Sequence, residues 1–110
     1  MAEPETGVMT PHPKKKRVVN KELLQRIRLL PCANCGAGGS DPHHIISRGA
    51  GGVDVEENVL PLCRHCHSKI HSVGIRKFIE KAAHVRILLR RSGWVINEKE
   101  IFHPTLLEYN

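Results

Sequence analysis

The chain is poor in aromatic residues, with one Trp, one Tyr and two Phe among 110 residues. So few rings leave a modest core, and small domains of this kind usually need a staple such as a structural metal or disulfides. Long apolar runs are missing as well. None approaches the roughly 18 residues that suggest a membrane span, which removes the membrane from the expected partners. The opening Met1-Ala2-Glu3-Pro4-Glu5 has neither a charged leader nor an apolar stretch behind it, so no secretory signal is expected and the default compartment is the cytoplasm. A reducing compartment keeps thiols free and favours metal binding over disulfides.

Acidic residues are outnumbered, 11 against 17 Lys and Arg, giving a formal net charge of +6 and a pI near 9.5. That balance fits a polyanionic partner, DNA being the expected one. It equally fits a solvated basic surface, so charge alone does not decide. Residues 1–19 contain three of the seven prolines and the run Lys14-Lys15-Lys16-Arg17, and read as a disordered basic arm.

What the chain does have is four cysteines and eight histidines, most of them in one region. Cys32-x-x-Cys35 and Cys63-x-x-Cys66 are two pairs with the spacing of a closed four-thiolate zinc site, separated by 27 residues. That is longer than a simple ribbon needs, so the zinc loop carries something else. Inside it lie Asp41-Pro42-His43-His44 and Asn58. Overlapping the second pair is His67-x-x-x-His71, whose two imidazoles share one face of a helix and can grip one ion. Cys66 precedes His67 directly, so on that helix it points about 100° away and serves a different ion.

Around these residues the pattern predicts a mixed α+β domain. Leu23, Leu24, Ile27 and Leu30 recur at helical spacing behind a capping Asn20, and Pro31 ends that helix. His43-His44-Ile45-Ile46 reads as a short strand, Ser47 to Glu57 as a flexible Gly-rich connection, and Asn58 to Leu62 as a second strand. A helix from Cys63 to His71 completes a compact strand–strand–helix unit. Asp41 reads as a turn residue before Pro42 or, if the strand extends that far, as a support for the ion through water. Helices are expected over 75–91, a short strand at Trp94 to Ile96, and a tail over 98–110 whose Leu106, Leu107 and Tyr109 can pack back. The single domain is therefore expected over 20–97, with its motif core over 32–71.

The order Cys32-x-x-Cys35, His43-His44, Asn58, Cys63-x-x-Cys66-His67, His71 resembles the HNH endonuclease family, in its small zinc-stapled form found in bacteria and phages. The resemblance covers about residues 30–72. It implies a ββα-metal core stapled by zinc on the four cysteines, and a metal-dependent DNA endonuclease with little sequence preference that acts with one catalytic divalent ion (Mg²⁺, Mn²⁺, Co²⁺ or Zn²⁺). It assigns the general base to His44 and a metal ligand to His43, a distinction the residues themselves leave open. His67 joins His43 as a ligand, and His71 is a candidate third. The position matched by Asn58 fixes the base through backbone hydrogen bonds. Many members of the family have Asp where His43 stands.

Histidine near its reference pKa of about 6.5 suits proton uptake at neutral pH, and a divalent ion suits the charge that develops on phosphate oxygens. Arg48, Arg64 and Lys69 are the expected phosphate contacts, and a monomer or weak dimer is the expected state. His12, His84 and His103 read as ordinary surface or core residues, and His65 as a poor substitute for a cysteine. Two other classes compete with the nuclease: a non-catalytic zinc-knuckle module that binds nucleic acid, and a thiol-redox protein. The last lacks the βαβ setting that a redox Cys-x-x-Cys needs.

Overall fold

A computed structural model of the chain describes residues 18–107. The basic run Lys14 to Arg17, His12 and Tyr109 lie outside the described residues. Within them the chain folds as a small mixed α+β domain. Its elements are α1 (Lys21–Arg28), β1 (Ser40–His44), β2 (Val59–Cys63), α2 (Arg64–Val73), α3 (Ile75–Glu80), α4 (Ala83–Arg91), β3 (Val95–Ile96), β4 (Ile101–Phe102) and α5 (Pro104–Leu107).

Helix α1 starts where the Asn20 side chain accepts a hydrogen bond from the Leu23 backbone N–H at 3.0 Å, which satisfies a donor that has no partner within the helix. Its apolar face, Leu23, Leu24 and Ile27, packs against Val59 as a small satellite of the main core. β1 and β2 form an antiparallel two-stranded sheet in which His43 faces Leu60 and His44 faces Val59. The strand begins earlier than the sequence suggests: Asp41 and Pro42 belong to it, and Pro42 stands opposite Pro61. In a two-stranded sheet each strand has a free edge, so a proline can turn its missing N–H outward without losing a ladder bond.

The connection between the strands is ordered rather than loose. Two short 3₁₀ turns, Arg48–Ala50 and Glu56–Asn58, shape it. Gly52 lies so close to Ile46 that a Cβ there would sit 1.7 Å from the Ile46 carbonyl oxygen. Asn58 ends the second turn instead of opening the strand, and it is completely buried. Its side-chain oxygen accepts from Ile46 N–H at 2.8 Å, while its amide donates to the carbonyls of Ile46 and Val53, both at 3.0 Å. One side chain thus replaces the backbone ladder where the hairpin stops.

The main core joins Leu60 and Leu62 of β2 to Ile70 of α2, Phe78 and Ile79 of α3, and Val85 and Leu89 of α4, with the buried cysteines at one margin. On α4 Leu88 is 40% exposed, off the buried face that Val85 and Leu89 share. The stretch read as a tail is folded in. β4 pairs with β3, and Leu106 on α5 is buried in the main core. His103 accounts for part of this: its Nε2 bonds the Ser92 carbonyl at 2.8 Å and its ring edge meets Trp94. Trp94 in turn donates to the Glu57 carbonyl at 2.6 Å, tying the C-terminal hairpin to the ordered connection.

Asn58→Ala leaves buried backbone groups unpaired, and we expect it to lower the unfolding free energy by roughly 1–3 kcal/mol in urea titrations. Asn58→Asp keeps the acceptor for Ile46 but sets a carboxylate oxygen against two carbonyls, so it is expected to give no rescue. An Asp variant as stable as the parent would contradict the hydrogen-bond assignment.

Candidate metal centre

The four cysteines come together. Cys32 and Cys35 sit on the knuckle after α1, Cys63 ends β2, Cys66 lies in the first turn of α2, and their sulfurs are all within 4.8 Å of one another. Sulfurs on a tetrahedral zinc with arms of about 2.3 Å would be roughly 3.8 Å apart. The Cys35–Cys63 separation is 3.7 Å. N–H groups also point at the sulfurs: Asn34 N at Cys32 Sγ and Asn34 Nδ2 at Cys66 Sγ, each at 3.4 Å, and Cys66 N at Cys63 Sγ at 3.5 Å.

Burial alone would raise the Cys32 thiol, yet backbone donors at Cys35, Cys63 and Asn34 outweigh it and bring it down to about 6. Burial pushes Cys66 up to about 12, with the neighbouring sulfurs of Cys63 and Cys32 adding to it against the Asn34 amide. A thiolate is easy to form at one position and hard at another a few ångströms away, a conflict that a bound cation removes. The cluster can therefore hold a structural metal such as zinc.

A second group gathers beside it. His43 of β1 and His67 and His71 of α2 bring ligating nitrogens within 4.8 Å of one another. His67 Nε2 and His71 Nε2 are 3.1 Å apart, and both rings meet His43 edge-on. Burial, then the neighbouring His67, His71 and His44, push His43 down to about 4, so its imidazole is neutral at ordinary pH and offers a lone pair. Asp41 Oδ2 lies 3.1 Å from His67 Nδ1. The bonds from His67 and then Arg64 hold this carboxyl below its usual range, and an ionised carboxylate only accepts. The proton therefore sits on Nδ1, and the Nε2 lone pair faces the other histidines. This carboxylate–imidazole pairing is the arrangement that orients metal-ligating histidines in general. Asp41 thus acts from a strand, through His67, rather than from a turn.

His44 has a different partner. Its Nε2 is 2.7 Å from Oδ1 of Asp54, a carboxylate with only 2% of its surface exposed. Asp54 also accepts from Asn20 N–H at 2.9 Å and from Arg48 at 3.2 Å. Burial would raise its carboxyl, but these donors, led by the Asn20 N–H, hold it below the ordinary range. Ionised Asp54 makes Nε2 the protonated nitrogen of His44 and leaves Nδ1 as the basic one.

Of the residues expected to contact phosphate, Arg48 is engaged with Asp54 and Arg64 donates to Asp41 at 2.9 Å. Lys69 is exposed, and two positions from both His67 and His71 it lies on the opposite flank of α2. His65 is exposed on α2, away from the sulfur cluster. Sequence reasoning missed Asn34 and Asp54. A signal for Asp54 exists in the chain: a lone acid between Val53 and Val55 is set for burial, and a buried carboxylate needs cationic partners such as His44 and Arg48 nearby.

Fold and clusters together define a small mixed α+β domain that can bind metal through its cysteines. The profile of the family described as "Protein of unknown function (DUF968)" matches residues 2–89, and the chain belongs to that family. It is 40% identical over 63 residues to "Uncharacterized protein YdfU" of Escherichia coli (strain K12), an alignment covering 54% of this chain and 18% of that relative. No solved structure matches it significantly. No helix among the described residues is long and apolar enough to cross a membrane.

The Asp54 carboxyl binds its proton more weakly in the fold than in the unfolded chain, so its contribution is present above pH 3.8 and is lost as pH falls through its lower folded value. We expect Asp54→Asn to be less stable than the parent near neutrality, with the gap closing at acid pH. Urea midpoints across the acid range measure it. A gap that stays constant with pH would show that the carboxylate is not the stabilising species.

Proposed function

We propose that the protein is a metal-dependent DNA endonuclease of the HNH kind, hydrolysing phosphodiester bonds. The observation that carries this reading is the convergence of His43, His67 and His71 beside, and distinct from, the sulfur cluster. A zinc knuckle that only supports a fold has no use for a second ligand set on the exposed side of its helix.

A divalent cation held by these three histidines would supply positive charge to the non-bridging and departing 3′ oxygens of a phosphodiester. The chain's own groups do the rest. His44, with Nε2 committed to Asp54, takes a proton from water on Nδ1 as the water oxygen bonds to phosphorus. The bond from phosphorus to the 3′ oxygen breaks, and that oxygen leaves with a proton from solvent. Asp54 holds the ring in one tautomer and offsets the charge of the imidazolium that forms. Asp41 does the corresponding work for His67, fixing the ring so that Nε2 remains a ligand. Asn58 and Asp54 make the intervening connection rigid, which keeps His44 from drifting relative to His43.

Supercoiled plasmid incubated with Mg²⁺, Mn²⁺, Co²⁺ or Zn²⁺ in turn is expected to be nicked or linearised. His44→Ala is expected to slow this by about 10²–10⁴-fold. Asp54→Asn should also slow it, yet add nothing in the His44→Ala background, because both act on one proton transfer. Undiminished cleavage by His44→Ala would refute the assignment. Binding of DNA without cleavage under any cation would instead favour the non-catalytic zinc-stapled module.

A further inference from the structure

Charge is unevenly placed on this chain. Residues 64–91 carry eight of the 17 Lys and Arg but only one of the 11 acidic residues, Glu80. They form α2, α3 and α4, which pack consecutively. The helical layer therefore carries a formal charge of +7, against +6 for the whole chain.

On α2, His67 and His71 define one flank, Cys66 and Ile70 the buried side, and Lys69 and Val73 the other flank. A cleft of about 260 Å³ lies along that second flank, lined by Lys69 and Val73 of α2 and by Lys77, Phe78, Glu80 and Lys81 at α3. Lys77 and Lys81 are four residues apart and so project on one side. All three lysines are exposed, and none forms an ion pair among the described residues. Arg48 and Arg64, in contrast, already have carboxylate partners. Three exposed ammonium groups line one concave surface against a single carboxylate at Glu80, and together they give it a positive field that attracts an anion.

We infer that this flank of α2 and α3 is a docking surface for the phosphate backbone of nucleic acid, separate from the histidine cluster, with Lys69, Lys77 and Lys81 as its phosphate-binding cations. A nucleic-acid backbone is the occupant that fits, because its charges repeat along a line and lysine meets each as a point charge without demanding fork geometry. The surface positions nucleic acid and reads no sequence. It extends the footprint of the protein across α2, beyond the phosphate that faces the histidines. The inference does not require the histidine cluster to cut, and it stands if the protein only binds.

The test uses the full chain in the His44→Ala background, so that the probe stays intact, with a fluorescent DNA duplex of about 20 base pairs titrated at several NaCl concentrations. Adding Lys69→Gln, Lys77→Gln and Lys81→Gln together is expected to weaken binding at least about tenfold at low salt. It should also flatten the slope of log K against log[NaCl] by about 2–3, close to 0.9 for each phosphate that is no longer neutralised. A control triple on α1, Lys21→Gln, Arg26→Gln and Arg28→Gln, removes the same charge elsewhere and should leave the slope nearly unchanged. Equal losses in the two triples, or a lysine triple that binds with the parental slope, would overturn the assignment. Thermal melting checks that both triples fold. Plasmid cleavage is scored separately with His44 present: no cleavage, with the lysine dependence intact, defeats the nuclease reading and leaves this surface standing.

Discussion

Cys66 and His67 are consecutive residues on one helix, so their side chains leave it about 100° apart, and the rest of the site depends on that offset. The sulfur turns toward the buried margin, where three other cysteines meet it, and the imidazole turns toward His43 and His71. One helix thereby contributes to two groups that could hold a metal ion, with different chemistry. The soft sulfur set, buried except at Cys35, suits a structural ion. The imidazole set, with His71 exposed, leaves room for a further ligand on the ion it would hold.

Two carboxylates extend this division. Asp41 reaches α2 from β1, and Asp54 reaches back from the connection to the end of β1, so each fixes one ring of the site. Asp54 is also where the N-terminal segment attaches, since its backbone N–H donates to the Val18 carbonyl and its side chain accepts from Asn20. A buried negative charge is expensive without partners, and here the partners belong to the start of α1, to β1 and to the first 3₁₀ turn. The same charge that specifies how these elements meet also sets the tautomer of His44.

Local features were legible in the chain. The Cys-x-x-Cys spacings and the four-residue interval of His67 and His71 are fixed by knuckle and helix geometry, and the cysteines do lie in one cluster within a mixed α+β domain. The Asn20 cap was readable for the same reason. Tertiary choices were not. Pro42 reads as a turn signal but is tolerated in a two-stranded sheet, so the start of β1 was misplaced. The reach of Asn34 to Cys66, of Asp41 to His67 and of Asp54 to His44 and Asn20 spans 10 to 34 residues, which no periodicity encodes. The strand at β3 and the return of Leu106 to the core are readable in the chain, but β4 and α5 depend on His103 and Trp94 finding partners across the fold, which gives residues 98–107 the local pattern of a tail.

The claim at the centre is that two cation sites of different ligand chemistry adjoin on α2. Cobalt titration of the metal-free chain followed by X-ray absorption addresses it most directly. The account predicts a first equivalent surrounded by sulfur and a second surrounded by nitrogen and oxygen, the second disappearing in His67→Ala while the first persists. Saturation at one equivalent, or a second ion that also takes sulfur ligands, would contradict it.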